Sequence, residues 1–218
     1  MTCNMPSDVR GNRFHIPQYL VILGVIVSGC GSQATAENEC VALTFTTETT
    51  KSEMPIVFTD YKGNSIAQSF KLPASTDVNG VSLVLSKSGT VPDDVPVTLT
   101  IEEDQPGKPN GTVVTSATGA ASGNLRPANI STPGAYRFNF TGYVTLDFNK
   151  TYWLRLTGAW GASNKTDANF IQWHAHDGVS GDYTDGRALY QTTDDPSGWS
   201  SYLVGAYRDL LFTIHCQQ

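Results

Sequence analysis

Two histidines lie close together in the stretch QWHAHDG, which runs from Gln172 to Gly178. In an extended strand His174 and His176 project from the same side, and with Asp177 they could contribute to a transition-metal site. Two imidazoles do not complete such a site, and the next histidine, His215, is distant in sequence. The pattern favours the other interpretation, a polar sheet face at the end of a strand.

Acidic residues cluster in the turn-like stretches GDYTDG and TTDDPSG. Calcium takes about six to eight oxygen ligands from carboxylates and carbonyls. The candidate ligands of a structural calcium ion are therefore Asp182, Asp185, Asp194 and Asp195. Their spacing does not match an EF-hand, and aspartates also occur in turns because they cap their own backbone. No cofactor other than this calcium ion is expected.

Aromatic residues crowd the last third of the chain, and planar rings of this kind dominate many binding sites. Trp160 and Trp199 lie in turn-like sequence, and Tyr183 lies in an acidic turn. These three are the candidate ligand-binding residues, with local packing as the competing interpretation. Trp153 and Trp173 lie within apolar strand patterns, where a place in the core is expected.

Enzyme signatures are scarce. The sequence contains no G-x-S-x-G, no H-E-x-x-H, no P-loop and no G-x-G-x-x-G motif. A non-catalytic protein is therefore expected. A glycosidase needs only two carboxylates at a suitable separation, so a hydrolase that acts on polysaccharide remains an alternative.

Composition narrows the classes of partner. The chain of 218 residues has a formal net charge of −6 and no basic cluster, whereas nucleic-acid binding usually calls for a basic stripe. Nucleic acid is therefore not an expected partner. Only 16% of the residues are charged, and there are 20 glycines and 11 prolines, a composition that favours short strands and turns over long helices.

Apolar residues alternate with a period of two along most of the chain, which predicts short strands. Val81, Leu83 and Leu85 are expected on one face, as are Val144, Leu146 and Phe148. The pattern recurs at residues 41–45, 65–72, 95–101, 135–140, 151–156, 169–175 and 209–215. Turn residues separate these stretches. The prediction is an all-β fold of two antiparallel sheets, a jelly-roll-like β-sandwich.

A family resemblance adds to this pattern. The ordered stretches AQSFKLP, VSLVLSKSG, EDQPGKPNGT, VTLDFNKTYWLRLTG and DGRALYQTTDDPSGWSSY, followed by DLLFTI, resemble a β-sandwich module of bacterial surface and exported proteins. That module is similar to carbohydrate-binding jelly rolls, which often carry a structural calcium. The resemblance covers about Ser65 to Ile214. It implies an adhesive or binding role toward glycan or another envelope protein, and no reaction.

The amino terminus has the features of an export signal. The apolar run from Tyr19 to Val27 is about nine residues, whereas a transmembrane helix needs about twenty. It follows Arg10 and Arg13 and ends in small residues, as a secretory signal peptide does. The end, Val27-Ser28-Gly29-Cys30, resembles a bacterial lipobox, which implies cleavage before Cys30 and acylation of its thiol. A plain signal peptide or a short core strand is the other interpretation.

Three segments follow from this interpretation. Residues 1–29 are the signal peptide that is removed, residues 30–39 are a lipidated flexible tether, and residues 40–218 are a single β-sandwich domain. Several acyl chains, palmitate among them, anchor a protein durably where one chain binds only marginally. The expected location is the cell envelope, at the outer membrane or cell surface. A structural component of an envelope or extracellular assembly is the second functional hypothesis.

The cysteines fit the same scheme. Cys3 lies in the leader and Cys30 is assigned to lipid, which leaves Cys40 and Cys216. Cysteines of an exported protein meet an oxidising compartment, so these two are expected to form a disulfide. A disulfide needs Cα atoms within about 7 Å, so the first and last strands should be neighbours. Two free thiols or a metal pair is the alternative, although the spacing does not support zinc.

Overall fold

The computed structural model describes residues 40–45, 56–57, 63–94, 96–158, 170–177, 186–192, 198–201 and 208–217. These residues form strands and one 3-10 turn, Pro127–Asn129. The strands are β1 (Val41–Phe45), β2 (Ile56–Val57), β3 (Gly63–Phe70), β4 (Thr76–Ser88), β5 (Val97–Gln105), β6 (Lys108–Val113), β7 (Ser122–Leu125), β8 (Gly134–Leu146), β9 (Tyr152–Gly158), β10 (Phe170–Trp173), β11 (Ala175–Asp177), β12 (Ala188–Thr192), β13 (Ser200–Ser201), β14 (Arg208–Leu210) and β15 (Phe212–Cys216). Within these residues no helix is long and apolar enough to cross a membrane.

Two antiparallel sheets pack face to face. The six-stranded sheet has the order β1-β15-β4-β10-β2, and β8 pairs with the other edge of β4. The seven-stranded sheet has the order β13-β12-β3-β9-β5-β6, with β7 also paired to β5. The prediction of a two-sheet, jelly-roll-like antiparallel sandwich is confirmed.

The alternating apolar residues meet between the sheets. Val81, Leu83 and Leu85 of β4 are fully buried, and Leu99 and Ile101 of β5 face them in the same hydrophobic cluster. Burial of apolar area is the dominant favourable contribution to folding, and alternation lets a strand bury one face while the other stays polar. The apolar residues that recur with a period of two in the sequence are therefore those on the inner face of each sheet. Trp173 is also in this core, as predicted.

One position of the predicted alternation is wrong. Val144 and Leu146 are buried, but Phe148 is 62% exposed. The strand ends at Leu146, and the chain then turns through Asn149, whose φ is +55°. Phe148 therefore lies in the turn, where the alternation of a strand no longer determines which way a side chain points.

The disulfide is present and joins the first strand to the last. The Cα atoms of Cys40 and Cys216 are 5.0 Å apart, and the backbone N–H of Cys216 donates to the carbonyl of Cys40 at 3.0 Å. β1 pairs with β15 in antiparallel register. The predicted pairing of the terminal strands is confirmed.

A short ribbon connects the two sheets. β10 and β15 both lie along the same edge of β4. His174 and Leu211 are the last residues of these two segments that bond to β4. On the far side of them, the two segments pair with each other as β11 and β14. There the Gln68 side chain of β3 accepts from the N–H of Leu210 at 2.9 Å and donates to Asp209 at 3.1 Å. Both Gln68 and Asp209 are buried. The ribbon thus satisfies a buried amide of the seven-stranded sheet.

Candidate binding face on the seven-stranded sheet

The outer face of the seven-stranded sheet carries a layer of polar and aromatic side chains. Arg155 of β9 lies opposite Ala67 of β3 and opposite Thr100 of β5. Directly paired residues share a face of a sheet, so alternate residues of neighbouring strands form one surface. We call this surface the tryptophan–arginine face and define it by Ser65, Glu102, Asp104, Trp153, Arg155, Arg187, Gln191 and Trp199.

Arg155 is the centre of its hydrogen-bond network. Its Nε and Nη2 donate to Ser65 Oγ at 3.2 and 3.1 Å, and Nη2 also donates to Gln191 Oε1 at 3.2 Å. Its Nη1 lies 3.2 Å from Glu102 Oε1 in an ion pair. The Glu102 side chain is only 2% exposed. The guanidinium group is therefore held in one orientation by strands on both sides of it.

Glu102 is fully engaged by its neighbours. Oε1 also accepts from Thr100 Oγ1 at 3.3 Å, and Oε2 accepts from the backbone N–H of Gly111 at 2.8 Å. A buried carboxylate is tolerated when it is paired and its oxygens are hydrogen-bonded. Glu102 and Asp104 share this face, but Glu102 does not have the access that a glycosidase carboxylate needs.

Aromatic packing covers part of the network. Trp153, Ala67 and Leu189 form a small buried cluster, and Trp199 packs against it while remaining partly exposed. The guanidinium carbon of Arg155 lies 5.6 Å from the centroid of the Trp199 ring. A cation at this distance is attracted to the ring, so Trp199 both packs on the cluster and stacks on Arg155.

A second arginine lies over Trp153. The Arg187 guanidinium carbon is 5.7 Å from the Trp153 ring centroid, and Trp153 Nε1 donates to Asp104 Oδ1 at 2.7 Å. The turn between β5 and β6 lies against this arginine. Gly107 has φ +76° in that turn, and a Cβ added there would overlap the Arg187 side chain. The glycine therefore permits both the turn and the close approach.

The arrangement offers planar groups in fixed positions. Arg187 is exposed, Trp199 and Arg155 are partly exposed, and each is held by contacts with the sheet. Guanidinium groups donate to hydroxyl, carboxylate or carbonyl oxygens, and an indole provides an apolar plane. This combination suits a ligand that has an apolar face and polar edges, as a sugar ring does.

The outer face of the six-stranded sheet has a different chemistry. Ser82 Oγ lies 2.7 Å from His215 Nε2, and Ser86 Oγ lies 2.9 Å from His174 Nε2. Ser86 also donates to Gln172 Oε1 at 2.7 Å. We call this surface the serine–histidine face and define it by Thr44, Ser82, Ser86, Arg137, Gln172, His174, Thr213 and His215.

A serine beside a histidine raises the question of nucleophilic catalysis. Burial and, to a smaller extent, the positive charge of Arg137 together lower the pKa of His215 to about 4. A general base works best with a pKa near the operating pH, and a carboxylate partner orients the imidazole in a catalytic triad. The charged residue that affects the His215 imidazole here is a cation, Arg137. The pair of Ser82 and His215 is therefore suited to a neutral hydrogen bond within the sheet and poorly suited to activating a nucleophile.

The predicted site residues fall into two groups. Cys40, Cys216 and Trp199 are described; Cys30, Trp160, Tyr183, Asp182, Asp185, Asp194 and Asp195 lie outside the described residues. Trp199 has a place in the tryptophan–arginine face, and the calcium site stays a prediction. Within the described part of the chain, no group of three or more His, Cys, Asp or Glu residues could hold a metal ion.

The interpretation of the two close histidines changes in part. The strand is interrupted at His174, which donates its backbone N–H to Val84 at 2.8 Å, so His174 and His176 do not belong to one regular strand. The His174 side chain takes part in the serine–histidine face.

The sequence interpretation missed the arginines of the candidate site. In TYWLRLTG, Leu154 and Leu156 belong to the inner face, whereas Trp153 and Arg155 occupy the alternate positions. A large aromatic residue and a cation at outer positions, where short polar residues are usual, indicate that other side chains pack over that face. This pattern can be recognised from the sequence, because it depends only on the alternation along one strand. Trp153 was expected in the core and is buried, at 1% exposure, but in the outer cluster.

Comparison with known proteins does not assign the chain to a family. No protein-family model matches it, and the curated proteins contain no match in sequence.

Proposed function

We propose that this protein is a non-catalytic binding module of the bacterial cell envelope, which is anchored through lipid on Cys30 and binds glycan through the tryptophan–arginine face. The observation that carries the proposal is the partly exposed Trp199 ring, which stacks on an arginine that four strands hold in place. Arg155 lies on β9, and its partners Ser65, Glu102 and Gln191 lie on β3, β5 and β12.

Preorganisation supports a binding role for this face. Loss of conformational entropy is a large part of the free-energy cost of association, and side chains that are already rigid lose little of it when a ligand binds. Tryptophan and arginine also dominate binding hot spots, in which they lie at the centre of a surface that excludes water.

The anchoring half of the proposal is supported by the disulfide. Disulfides persist in oxidising compartments, and the bond between Cys40 and Cys216 is therefore consistent with export. The lipobox-like sequence that ends at Cys30 supplies the anchor. Mass spectrometry of the mature protein tests it: we expect a chain that begins at an acylated Cys30. An unmodified Cys30 within a longer chain would remove the anchor from the proposal.

A glycan array tests the binding half. We expect the purified domain to bind at least one glycan class and the Trp199→Ala variant to bind it at least 10-fold more weakly, because loss of a hot-spot ring costs about 2 kcal/mol or more. Arg187→Ala provides a second variant with little risk to folding, because its side chain is exposed. Its affinity is expected to fall about 5-fold.

The matched control is Thr213→Ala on the serine–histidine face, which should bind as the unchanged protein does. Thermal unfolding of each variant separates loss of binding from loss of folding. An array without any bound glycan, or unchanged binding by both the Trp199 and the Arg187 variants, would refute glycan binding by this face.

A further inference from the structure

Two large apolar side chains of the described residues are strongly exposed, and both lie at one end of the sandwich. Phe148 is 62% exposed and Val41 is 47% exposed. Val41 lies opposite His215 at the end of β15, while Thr76 lies opposite Leu146, two residues before Phe148. We call this end the anchor pole and define it by Cys40, Val41, Asp77, Phe148, Lys150 and Cys216.

The register shows that these residues share an end. Asp77 of β4 accepts at its backbone carbonyl from the N–H of Gln217 at 2.8 Å, and its carboxylate accepts from Thr145 Oγ1 at 2.6 Å. Cys216, the last residue of β15, lies opposite Val78, and Leu146, the last residue of β8, lies opposite Thr76, so the two strands finish within two residues of each other along β4. β1 and β8 are three strand spacings apart, about 14 Å at about 4.8 Å per spacing.

The turn that carries Phe148 is well supported. The backbone N–H of Phe148 donates to Ser75 Oγ at 2.9 Å, and that of Asn149 donates to the carbonyl of Leu72 at 3.2 Å. Lys150 forms an ion pair with Glu103 at 2.7 Å. A hydrogen-bonded turn therefore holds the Phe148 ring in solvent. An exposed ring forgoes the favourable free energy that its burial would provide.

The chain enters the domain at this same end. The stretch GSQATAENE, residues 31–39, separates Cys30 from Cys40. Ten residue steps span at most about 36 Å when fully extended, and about 17 Å on average as a flexible coil. A lipid attached at Cys30 therefore keeps the entry point within about 36 Å of the bilayer surface, a reach that allows the anchor pole to contact it.

We propose that the anchor pole rests on the lipid surface, with Phe148 inserted at the level of the headgroups. The inference depends on the proposed acylation of Cys30. Aromatic side chains are favoured at the membrane interface, and a lipid anchor supplies the proximity that one ring alone could not. Lys150 and Glu103 neutralise each other beside the ring, whereas the carboxylates of Asp77 and Asp147 at this end are exposed. Repulsion from anionic lipid therefore opposes insertion, and added salt, which screens that repulsion, should not weaken the contact.

Depth-dependent quenching tests the orientation. The mature protein, acylated at Cys30, is reconstituted in vesicles of phosphatidylethanolamine and phosphatidylglycerol that contain a brominated phospholipid. In the Phe148→Trp variant we expect the added emission, relative to the unchanged protein, to fall by at least half. The control is Ala128→Trp. Ala128 is exposed in the 3-10 turn that follows β7, at the end of the sandwich away from the anchor pole, so its added emission should stay unchanged.

The outcomes separate the two proposals. The mass of the reconstituted protein is measured first, and an unacylated Cys30 overturns the anchor and the orientation together. An acylated Cys30 with equal quenching at both positions, or with quenching at neither, overturns the orientation alone. Repeating the measurement at high salt, which screens repulsion between the exposed carboxylates and the anionic lipid, should leave the Phe148→Trp quenching unchanged or stronger, and its loss would contradict apolar insertion.

Discussion

The two outer faces of the sandwich differ in how their polar side chains find hydrogen-bond partners. On the serine–histidine face, short hydroxyl side chains bond to nearby polar side chains, Ser82 to His215 and Ser86 to both His174 and Gln172. On the tryptophan–arginine face, long side chains cross the strands, and an ion pair lies beneath a stacked indole ring. The first face satisfies its polar groups near the backbone. The second face builds an additional layer and leaves planar groups partly exposed at its surface.

This difference shows where each face is vulnerable. A charged pair that is withdrawn from water depends on both partners, because the loss of one leaves the other uncompensated. A neutral pair is vulnerable to protonation, because a buried imidazolium has lost its hydration. Mutation should therefore disturb the tryptophan–arginine face most, and acid should disturb the serine–histidine face most.

The largest expected effect comes from Glu102→Ala. Removing this carboxylate leaves the guanidinium of Arg155 without its charged partner, and we expect the free energy of unfolding to fall by about 3 kcal/mol. The neighbouring Glu103→Ala is the matched control, because the ion pair of Glu103 with Lys150 is exposed and should contribute less than about 1 kcal/mol. Urea unfolding of both variants measures the difference, and equal losses would show that burial of the pair is unimportant.

Acid should destabilise the protein through His215. Its pKa is lowered to about 4 in the folded state, against an ordinary value of 6.5, so the unfolded chain binds a proton that the folded chain does not. The stability that this histidine provides is complete above pH 6.5 and is lost as the pH falls toward 4. Between pH 7 and pH 4.5 the loss is about 2.5 kcal/mol.

Replacement of the same histidine isolates this contribution. His215→Gln keeps a polar group but cannot bind the proton, so we expect its stability to vary less with pH over that interval. Urea unfolding at pH 7, 5.5 and 4.5 provides the comparison with the unchanged protein. Parallel pH profiles for the two proteins would show that the proton is taken up elsewhere.

The smallest expected effect separates backbone strain from contact in the tryptophan–arginine face. Gly107→Ala and Gly111→Ala both place a side chain at positive φ, +76° and +80°, and each should cost about 1 kcal/mol. Only Gly107 also lies against Arg187, whereas a Cβ at Gly111 meets nothing within 4 Å. The group that this Cβ would meet is the far end of the exposed Arg187 side chain, which can shift, so we expect the two variants to lose similar stability and only Gly107→Ala to weaken glycan binding. Unchanged binding by Gly107→Ala would mean that the position of Arg187 does not matter to the ligand.

Local patterns predicted the fold well because a sandwich depends on alternation. The positions of Val81, Leu83 and Leu85, the two-sheet architecture and the Cys40–Cys216 disulfide are all confirmed. The stretches 135–140 and 143–148 were interpreted as separate strands, yet both contribute to β8, whose pairing with β4 slips between Val78 and Gly80. Such an irregularity depends on the neighbouring strand, so one-strand periodicity does not reveal it.

The candidate site was less accessible to prediction. Glu102 and Arg155 are 53 residues apart, and only the register of β5 against β9 brings them together. Trp199 was identified as a binding residue from its turn-like context, which did not indicate that it also packs on Trp153 and Leu189. A register between distant strands is determined by the whole core, so it lies beyond what a local pattern can show.

The disulfide has a mechanical consequence. Tension that arrives from the amino-terminal side reaches Cys40 and passes through the sulfur atoms to Cys216, at the end of β15. The edge strand β1 is thereby bypassed, and its hydrogen bonds do not carry the load. β15 is an interior strand with β1 on one side and β4 on the other. A pull from that side would therefore load the ladder between β15 and β4, inside the sheet, rather than unzip the edge strand β1.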